Sequence, residues 1–548
     1  MKEKLEELIH YRISRRKMLK SAAFLTAGAI LPINFFASFL PGLSNASDIF
    51  FKPVEPSLAD ELLLPEGYSY HIIRKWGDKI SDTDYFGYNN DFVTFLPFKN
   101  SSGSINKDEG LMFVNHEYPI PLFVSGYTPE DHKAGLKKSE EQILTEKRSV
   151  GFSIFRIKKS AGKWEFVNDE KYNRRIDALS RIMLSGKAAG TKEVQFAYEC
   201  AGTVGNCSGG VSPWGTILSG EENFQDYPDE NIYRWNDSST KLIDEHYGWM
   251  VEIDPFDKNS VPKKRTSLGR FRHENISFVV FADKRIVAYM GDDKEDECVY
   301  KFISSGKFDP SNPRANMDIL DSGDLYAADF TNNRWILLDI ERNEILRKEF
   351  NSQAEILVNC DKATKAAGAT PCNRCEDIEI SPKDQTIYIA FTNNKPKDDY
   401  HGSIIRLIEK NNDHTSIEFT WEVFASGGVD SGFSCPDNLY FDSKANLWVL
   451  SDMASGSINK GAYEPFKNNS LFMIPTGGSS KGKAFRFAGG PVDSEMCGTC
   501  FSPDEQTMFM SVQHPGESSI STNNPTSRWP DFGSELPKPA VVAITGFK

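Results

Sequence analysis

The sequence lacks most of the features that mark membrane-spanning, disulfide-rich or nucleic-acid-binding proteins. It has one long apolar run, residues 22–40, and its nine cysteines among 548 residues are too few for a disulfide scaffold. Basic residues are in deficit, with 63 Lys and Arg against 77 Asp and Glu and a formal net charge of −14. Such an acidic chain offers no general footprint for nucleic acid. It also repels anionic substrates unless metals or arginines reverse the local charge.

The first 46 residues have the layout of a twin-arginine export signal. SRRKMLK at residues 14–20 precedes the apolar run, and SNA at residues 44–46 offers the small residues that a signal peptidase reads. A permanent membrane anchor fits less well, because two prolines and an asparagine interrupt the run or follow it closely. We therefore expect handling by the twin-arginine export machinery, cleavage near Ala46 and no permanent membrane anchor. Met18 departs mildly from the phenylalanine usual in such signals.

Linkers are also scarce. No Gly/Ser-rich or Pro-rich stretch divides the rest of the chain, which predicts a single domain over residues 47–548.

The odd number of cysteines leaves at least one unpaired or bound to a metal. Cys372-x-x-Cys375 and Cys497-x-x-Cys500 together suggest a zinc site, but more than a hundred residues separate them. In an exported protein such cysteines more often form disulfides.

Short apolar or alternating runs bounded by Gly, Asp, Asn and Pro recur after residue 60 and predict mostly β structure. Residues 376–389 (EDIEISPKDQTIYI) and 499–510 (TCFSPDEQTMFM) are nearly the same, and residues 437–449 (DNLYFDSKANLWV) form a third copy. Looser copies occur earlier in the chain. A hairpin that repeats in this way, with room for two more strands between copies, is typical of a propeller blade.

The prediction is therefore an all-β fold, a β-propeller of about six blades with helical and loop insertions. We expect one insertion, more helical and charged, over residues 158–197. A β-sandwich would require several unrelated domains and would not explain the repeated hairpin.

Polar residues, most of them of the types that bind metals, stand before the turn in repeat after repeat. The inner strands of all blades start around one channel, so residues at matching positions should converge. A single Asp or Asn there commonly begins a turn. Recurrence in five repeats means more, because carboxylates gathered in one funnel stay ionised only if cations neutralise them. The residues are Asn206, Cys207, His273, Glu274, Arg374, Glu376, Asp377, Asp437, Asn438 and Glu495.

The donor types indicate which metals would bind. Carboxylate and amide oxygens suit hard cations such as Ca²⁺, whereas a thiolate, as from Cys207, favours iron or zinc. A second acidic motif recurs at the far end of the strand in two repeats, at Glu221-Glu222 and at Asp292. These acids are further metal candidates, although they could equally be hairpin turns.

Several motifs resemble the PhoX family of alkaline phosphatases. NCSGGVSPWGT at residues 206–216, running into Glu221-Glu222-Asn223, is similar to the family's signature. Others match in the family's order: LPEGY at 64–68, NHEY at 115–118, GRFRHE at 269–274, YMGDD at 289–293 and RCED at 374–377. The resemblance covers essentially the whole chain after the signal. One departure is Asn275-Ile276, where smaller residues are expected.

The resemblance implies a six-bladed propeller that hydrolyses phosphate esters with iron and calcium. Cys207 and Glu274 would hold the iron, and Arg374 would grip the substrate phosphate with its planar fork. Cys207, Glu274 and Arg374 are thus the expected catalytic residues. Further metal ligands implied for iron or calcium are Glu376, Asp437, Glu495, Asp292, Glu221, Glu222, Asn115 and Glu117, and Asn438 is implied in substrate binding.

The expected activity is that of an alkaline phosphatase-like phosphoric monoester hydrolase, periplasmic or secreted, acting on small phosphate esters. The sequence contains no Gly-x-Ser-x-Gly elbow and no P-loop. Alternatives are another propeller hydrolase, either a phosphodiesterase or a calcium-dependent lactonase, and a non-catalytic propeller with structural calcium. Cys207 and Arg374 favour the phosphatase over the lactonase, because a calcium-only lactonase needs neither.

Overall fold

The structure is a computed structural model that describes residues 5–13, 49–100, 102–229, 231–235 and 242–548. Within these residues, 28 strands form six sheets arranged as the blades of a propeller, which confirms the predicted fold class. The twin-arginine motif and the cleavage site expected near Ala46 lie outside the described residues. Among those described, helices are all too short or too polar to cross a membrane.

The blades follow one another along the chain, except that the first strand belongs to the last blade. Strand β1 (Ser69–Lys75) pairs antiparallel with β28 (Ala540–Thr545). Residues from the two ends of the domain thus share one sheet. This pairing closes the ring of blades and protects the edge of the last one.

The remaining strands have the following bounds. Blade 1 contains β2 (Asn90–Lys99), β3 (Ile105–His116), β4 (Gly151–Ser160), β5 (Lys163–Val167) and β6 (Arg174–Ile176). Blade 2 contains β7 (Arg181–Ser185), β8 (Glu199–Ala201), β9 (Asn206–Val211), β10 (Ile217–Glu221), β11 (Met250–Ile253) and β12 (Lys263–Arg265). Blade 3 contains β13 (His273–Val280), β14 (Arg285–Asp292), β15 (Val299–Lys307), β16 (Gly323–Asp329) and β17 (Arg334–Leu337).

Blade 4 contains β18 (Cys375–Ile380), β19 (Ile387–Phe391), β20 (Ser403–Glu409) and β21 (Phe419–Ser426). Blade 5 contains β22 (Pro436–Phe441), β23 (Asn446–Ser451), β24 (Ser470–Pro475) and β25 (Phe485–Gly489). Blade 6 contains β26 (Glu495–Phe501), β27 (Thr507–Gln513), β28 and β1. The innermost strands are β2, β9, β13, β18, β22 and β26.

Each pair of neighbouring blades shares a hydrophobic core. The core between blades 3 and 4, for example, joins Tyr289 and Val299 to Ile378 and Ile389. Comparable clusters lie at the other five blade interfaces. Middle strands are therefore covered on both faces, which explains why residues 286–290 of β14 are all apolar and all buried. This stacking fixes the position of every inner strand around the channel.

Helices lie in two insertions and near the amino end of the chain. Between β3 and β4 are Pro121–Val124, Pro129–Lys133 and Glu140–Ser149, and between β17 and β18 are Glu344–Glu349, Gln353–Val358 and Cys360–Ala367. Residues 5–13 form a further helix, whose Leu5 and Ile9 join the core between blades 3 and 4.

Two expectations from the sequence are corrected. Residues 158–197 are not a helical insertion; they carry strands β5, β6 and β7 and the end of β4. These outer strands expose one face, so charged residues alternate with buried ones such as Trp164 and Ile182. All nine cysteines are free thiols, so the two Cys-x-x-Cys pairs form no disulfide. Cys372 and Cys375 lie in the core between blades 3 and 4, whereas Cys500 lies between blades 6 and 1.

Candidate metal centre

Six side chains from the starts of the inner strands meet at one end of the channel. In blades 1 to 5 the side chain belongs to the second residue of the inner strand, and in blade 6 to the first. These residues, here called the inner ring, are Asp91, Cys207, Glu274, Glu376, Asp437 and Glu495. All six line one cavity of about 270 Å³.

A β-bulge accompanies the inner ring. In blades 1 to 5 the pairing between the first two strands shifts register directly after the first residue pair. In blade 3, for example, His273 pairs with Asp292, and regular pairing resumes only at Ile276. A bulge leaves its extra residue out of the ladder and bends the strand, which re-aims side chains. The same irregularity therefore places Glu274 and its equivalents at the channel.

A second set of side chains comes from the neighbouring strands. In five blades, the residue directly after the second strand lines the same cavity and is titratable. Blade 4 has Thr392 at this position. The five residues, here called the outer ring, are Glu117, Glu222, Asp293, Asp452 and His514. Both rings occupy equivalent positions of the repeated hairpin, so the repeat itself gathers them.

Members of the two rings are close enough to share cations. In each of three groups, the ligand atoms all lie within 4.8 Å of one another. The Cys207 thiol contacts Asp91 Oδ2 at 3.3 Å and Glu274 Oε1 at 3.4 Å, so it joins two groups. The groups are Asp91 with Glu117 and Cys207, Cys207 with Glu222 and Glu274, and Glu274 with Glu376 and Asp437.

Burial makes these groups hard to ionise unless a cation is present. It raises the pKa of Asp91 to about 7 and, together with the nearby Asp91 carboxylate, raises the pKa of Glu117 to about 8. Burial and the surrounding carboxylates also raise the pKa of the Cys207 thiol and of Glu274 well above their usual ranges.

Asp91 Oδ1 and Glu274 Oε2 are buried without a hydrogen-bond partner. Orphaned carboxylate oxygens beside a thiol are the donor set that a metal ion satisfies. The residues present therefore fit a metal centre.

Arg374 lies among the acids of the cavity. Its Nε and Nη2 atoms donate to the two carboxylate oxygens of Asp293 at 2.9 and 2.8 Å, a bidentate pair. Nη2 also lies 2.8 Å from Glu376 Oε1 and 3.4 Å from Asp452 Oδ2. Although burial opposes ionisation, the guanidinium holds the pKa of Asp293 below its usual value. A quarter of the Arg374 side chain remains exposed, so part of its fork can meet a ligand.

The rim of the cavity carries a cluster of aromatic and polar side chains around His514. His514 Nε2 lies 3.6 Å from Glu495 Oε2, and its Nδ1 lies 3.6 Å from Glu517 Oε2. The Tyr118 hydroxyl donates to Glu517 Oε1 at 2.6 Å, and its ring stacks on the imidazole. Ser455 donates to the other Glu517 oxygen. These contacts fix an aromatic and polar edge beside the inner ring.

Two of the predicted metal ligands, Glu221 and Asn115, do not line the cavity and make structural contacts instead. Glu221 Oε1 lies 2.7 Å from Lys264 Nζ, both side chains fully buried, and Oε2 accepts hydrogen bonds from two backbone N–H groups. Asn115 Nδ2 donates to the carbonyl oxygens of Cys207 and Ser208 at 2.7 and 3.0 Å. Asn115 thus positions the strand that carries Cys207, and Glu221 neutralises a buried lysine.

Two further predicted residues do not line the cavity. Asp292 borders a neighbouring pocket with Arg272 and Lys294, while the next residue, Asp293, lines the candidate centre. Successive residues of a strand face opposite ways, so a shift of one position changes the site. Asn438, predicted to bind substrate, lines a different cavity, and its Oδ1 accepts from the Gly498 N–H at 2.6 Å. Its Nδ2 donates to Asp437 Oδ1 at 3.1 Å and to Glu274 Oε1 at 3.5 Å, so it contacts two acids of the inner ring from the other side.

The structure also brings in residues that the sequence reasoning missed. Asp91 was detectable, because it occupies in blade 1 the position that Asp437 occupies in blade 5. Asp452 follows its strand just as Glu222 follows β10. Glu517 has no equivalent in other blades; it lies in the long connection between β27 and β28, which the repeat does not predict.

Fold and cavity together define a β-propeller protein with an acid-lined candidate metal centre. The family model "Alkaline phosphatase PhoX" matches residues 49–516. This chain is similar to the structure of Pseudomonas fluorescens PhoX in complex with vanadate, a transition state analogue, with 31% sequence identity and a TM-score of 0.81. The match covers 90% of this chain and 97% of that one. The chain therefore belongs to the PhoX family of alkaline phosphatases and is a phosphoric monoester hydrolase.

A protein of unknown function from Dyadobacter fermentans is more distant, at 10% identity and a TM-score of 0.38, with 88% of this chain and 100% of that chain covered. A gluconolactonase from Xanthomonas campestris has 9% identity and a TM-score of 0.28, with 87% and 99% covered. Neither bears on the activity. Among curated proteins the comparison finds no match.

Proposed function

We propose that this chain is an exported phosphatase that hydrolyses phosphate monoesters at a centre of iron and calcium and releases inorganic phosphate. The observation that supports this most is that one cavity combines two acidic rings, a buried thiol and an arginine fork. Without cations such a cavity would repel a phosphate ester, because its carboxylates outnumber its basic groups. With cations bound, the same cavity would attract the ester.

The choice of iron and calcium follows from the donor types. Cys207 is the single thiol among the described residues that line the cavity, and thiolates bind transition metals such as iron. We propose that Cys207 and Glu274 hold iron. Bound cations would neutralise the phosphoryl oxygens and activate an oxygen nucleophile at moderate pH. The residues proposed to complete the iron and calcium coordination are Glu376, Asp437, Glu495, Glu117, Glu222 and Asp91.

Arg374 would bind the phosphate of the substrate. Asp293 holds the Nε and Nη2 edge of the guanidinium, while Nη1 makes only a 3.5 Å contact with Asp452. A phosphoryl oxygen could therefore replace Asp452 at Nη1 without breaking the bidentate pair. The φ of Arg374 is +30°, a strained value for a residue with a side chain, which suggests that the fold imposes this position. A preorganised donor of this kind stabilises the charge of a transition state.

Neutral amides orient the carboxylates around the centre. Gln513 Nε2 donates to Asp91 Oδ2 and to Glu117 Oε2, each at 2.9 Å. Asn223 Nδ2 donates to Glu222 Oε2 at 2.6 Å and to Glu117 Oε1 at 3.3 Å. Such outer contacts hold ligand oxygens in place for a metal. We propose that Gln513 and Asn223 serve as positioning residues.

Export by the twin-arginine route to the periplasm or beyond is part of the same proposal. It rests on the motif at residues 14–20 and on the apolar run that follows it. A route for folded proteins would allow the metals to be inserted before transport. Replacing the Arg15-Arg16 pair with lysines should retain the protein in the cytoplasm, which fractionation of cells would show.

The activity is tested with protein that its own signal has exported, on p-nitrophenyl phosphate, with metal analysis of the same sample. The expected result is turnover accompanied by bound iron and calcium. Cys207→Ala should lose both iron and turnover, while Cys500→Ala, which removes a buried thiol outside the cavity, serves as the matched control.

The same assay separates the alternatives. Hydrolysis of bis-p-nitrophenyl phosphate in preference to the monoester would indicate a phosphodiesterase, and hydrolysis of lactones a lactonase. If full metal occupancy gives no turnover on any of these substrates, the proposed hydrolysis is wrong. Metal removal would then change stability alone, as in a binding propeller.

A further inference from the structure

A second cavity lies at the other side of the inner ring, farther along the channel. It has a volume of about 340 Å³ and is lined by the inner strands of all six blades. We call it the distal cavity. In blades 1 to 5 the residue that follows the inner-ring residue lines it: Phe92, Ser208, Asn275, Asp377 and Asn438.

Three of these residues join one blade to the next. Asn275 Oδ1 accepts from the Ile378 N–H at 3.0 Å, and its Nδ2 donates to the Ile378 carbonyl at 2.9 Å. Asn438 Oδ1 accepts from the Gly498 N–H. At the same position in blade 4, Asp377 Oδ2 accepts from the Leu439 N–H at 2.7 Å. An asparagine would therefore meet the structural need at Asp377 as well as it does in blades 3 and 5.

Aspartate at this position leaves an oxygen unpaired. Asn275 uses its amide nitrogen as a second donor to the neighbouring strand, but Asp377 has an acceptor, Oδ1, in place of that nitrogen. Asp377 is 4% exposed, and Oδ1 has no hydrogen-bond partner. A buried carboxylate oxygen without a donor is destabilising unless a cation or a proton satisfies it. The inter-blade contact alone does not explain why this residue is acidic.

Other groups in the distal cavity point to a cation. Glu379 lies two residues along the same strand and lines the same space, so two carboxylates face it. Thr499, which is 7% exposed, also lines it, and its hydroxyl has no partner. The described lining residues include no lysine, arginine or histidine.

We propose that the distal cavity binds a hard divalent cation such as Ca²⁺, with Asp377 and Glu379 as the charged ligands and Thr499 as a neutral one. Carboxylate and hydroxyl oxygens are the ligands such cations prefer. The site is separate from the candidate metal centre, which the inner and outer rings line, and it does not depend on the proposed phosphatase activity.

The test counts metal ions in protein that its own signal has exported. Wild type, Asp377→Asn and the control Asp430→Asn, which neutralises an exposed carboxylate, are dialysed against the same micromolar free Ca²⁺ and analysed for calcium and iron. Asp377→Asn should hold one Ca²⁺ fewer per chain than wild type, with the same iron content. Asp430→Asn should hold as much calcium and iron as wild type. Equal calcium in wild type and Asp377→Asn would overturn the proposal, and would indicate instead that a proton satisfies Asp377.

Two further measurements keep the result attributable to the distal cavity. Glu379 is half-buried, and Glu379→Gln should weaken Ca²⁺ binding at this site by tenfold or more in equilibrium dialysis. If Glu379→Gln bound Ca²⁺ as tightly as wild type, the proposal would be contradicted, even if Asp377→Asn failed to fold. The difference of one Ca²⁺ should also persist when Cys207→Ala is present in both proteins. If that background abolishes the difference, the lost ion belongs to the other centre and the proposal is wrong.

Discussion

The two cavities of the channel are built from consecutive residues of the same strands, yet their chemistry differs. At one end Asp91, Glu274 and Glu376 are joined by the acids of the outer ring. At the other, the next residues are mostly apolar or amide side chains that bind neighbouring blades, with Asp377 as the acidic exception. A repeated hairpin can thus place charged residues at one end of a channel, while the next residue of the same strand makes structural contacts between blades.

The largest expected effect on kcat/KM comes from comparing the two cavities through one thiol in each, Cys207 and Cys500. Cys207→Ala should lower kcat/KM on a phosphomonoester by roughly a thousandfold, because it removes the thiol that joins two ligand groups. Cys500→Ala, which alters a buried thiol lining the distal cavity, should change kcat/KM less than about threefold and act on stability alone. Steady-state kinetics with iron analysis checks both. Equal losses in the two variants would refute the asymmetry between the cavities.

The next effect concerns the guanidinium fork. Arg374→Lys keeps the charge but loses the bidentate geometry toward Asp293 and the free edge for phosphate. We expect kcat/KM to fall by about a hundredfold. Arg334→Lys, at a mostly exposed arginine on the outer strand of blade 3, is the matched control and should leave kinetics unchanged. Wild-type kinetics for Arg374→Lys would exclude the proposed contact with substrate.

A smaller effect is expected from pH in metal-free protein. The pKa values of Asp91 and Glu117 are raised in the folded state, so the native protein binds more protons than the unfolded chain. Stability is then greatest at acidic pH and falls as pH rises toward about 8, by at least ~2 kcal/mol between pH 5 and pH 8.

Urea unfolding after chelation measures this slope, and reloading the metals should abolish it. Asp91→Asn should reduce the slope in the chelated protein, because the amide does not titrate while Glu117 still does. A chelated wild-type protein that gained stability with rising pH would contradict the burial argument.

The smallest effect on catalysis is expected at Asn438. Its sequence-based assignment to substrate binding would require Asn438→Ala to raise KM strongly. Its contact with the Gly498 N–H predicts instead a loss of about 1–2 kcal/mol in unfolding free energy, because a buried donor loses its acceptor. Its contacts with Asp437 and Glu274 orient two ligand carboxylates, so kcat should fall slightly while KM stays unchanged. Urea unfolding and KM measured on the same preparation decide between the two roles.

Repetition made much of the fold predictable. The hairpins around Ser381, Ser443 and Ser502 share one pattern of acid, strand and turn, so their equivalence could be read directly and a propeller inferred. The charged segment 158–197 was predicted wrongly, because an outer strand with one exposed face has a composition that a helix also tolerates. Its pairing with neighbouring strands, which sequence periodicity does not report, decided its structure.

The candidate site was predictable where its residues occupy the repeat. Glu274, Glu376 and Asp437 stand at one offset in successive copies, and the structure places all three in the cavity. At the ends of the second strands the prediction named Glu221, Glu222 and Asp292, whereas Glu222 and Asp293 line the cavity. Neighbouring residues face opposite sides of a strand, so a β-bulge determines which of the two faces the cavity. The residue types alone do not reveal where that bulge lies.

By itself, the sequence determined the repeated hairpin, the acidic character of the chain and the residue types of the inner ring, because these depend on local order along the chain. The tertiary structure alone decided which acids meet. Closure by β1 and β28, together with six blade interfaces, sets the distances across the channel. The bulges turn Glu376 to one cavity and Asp377 to the other, and such facing arises only when strands pair and blades pack.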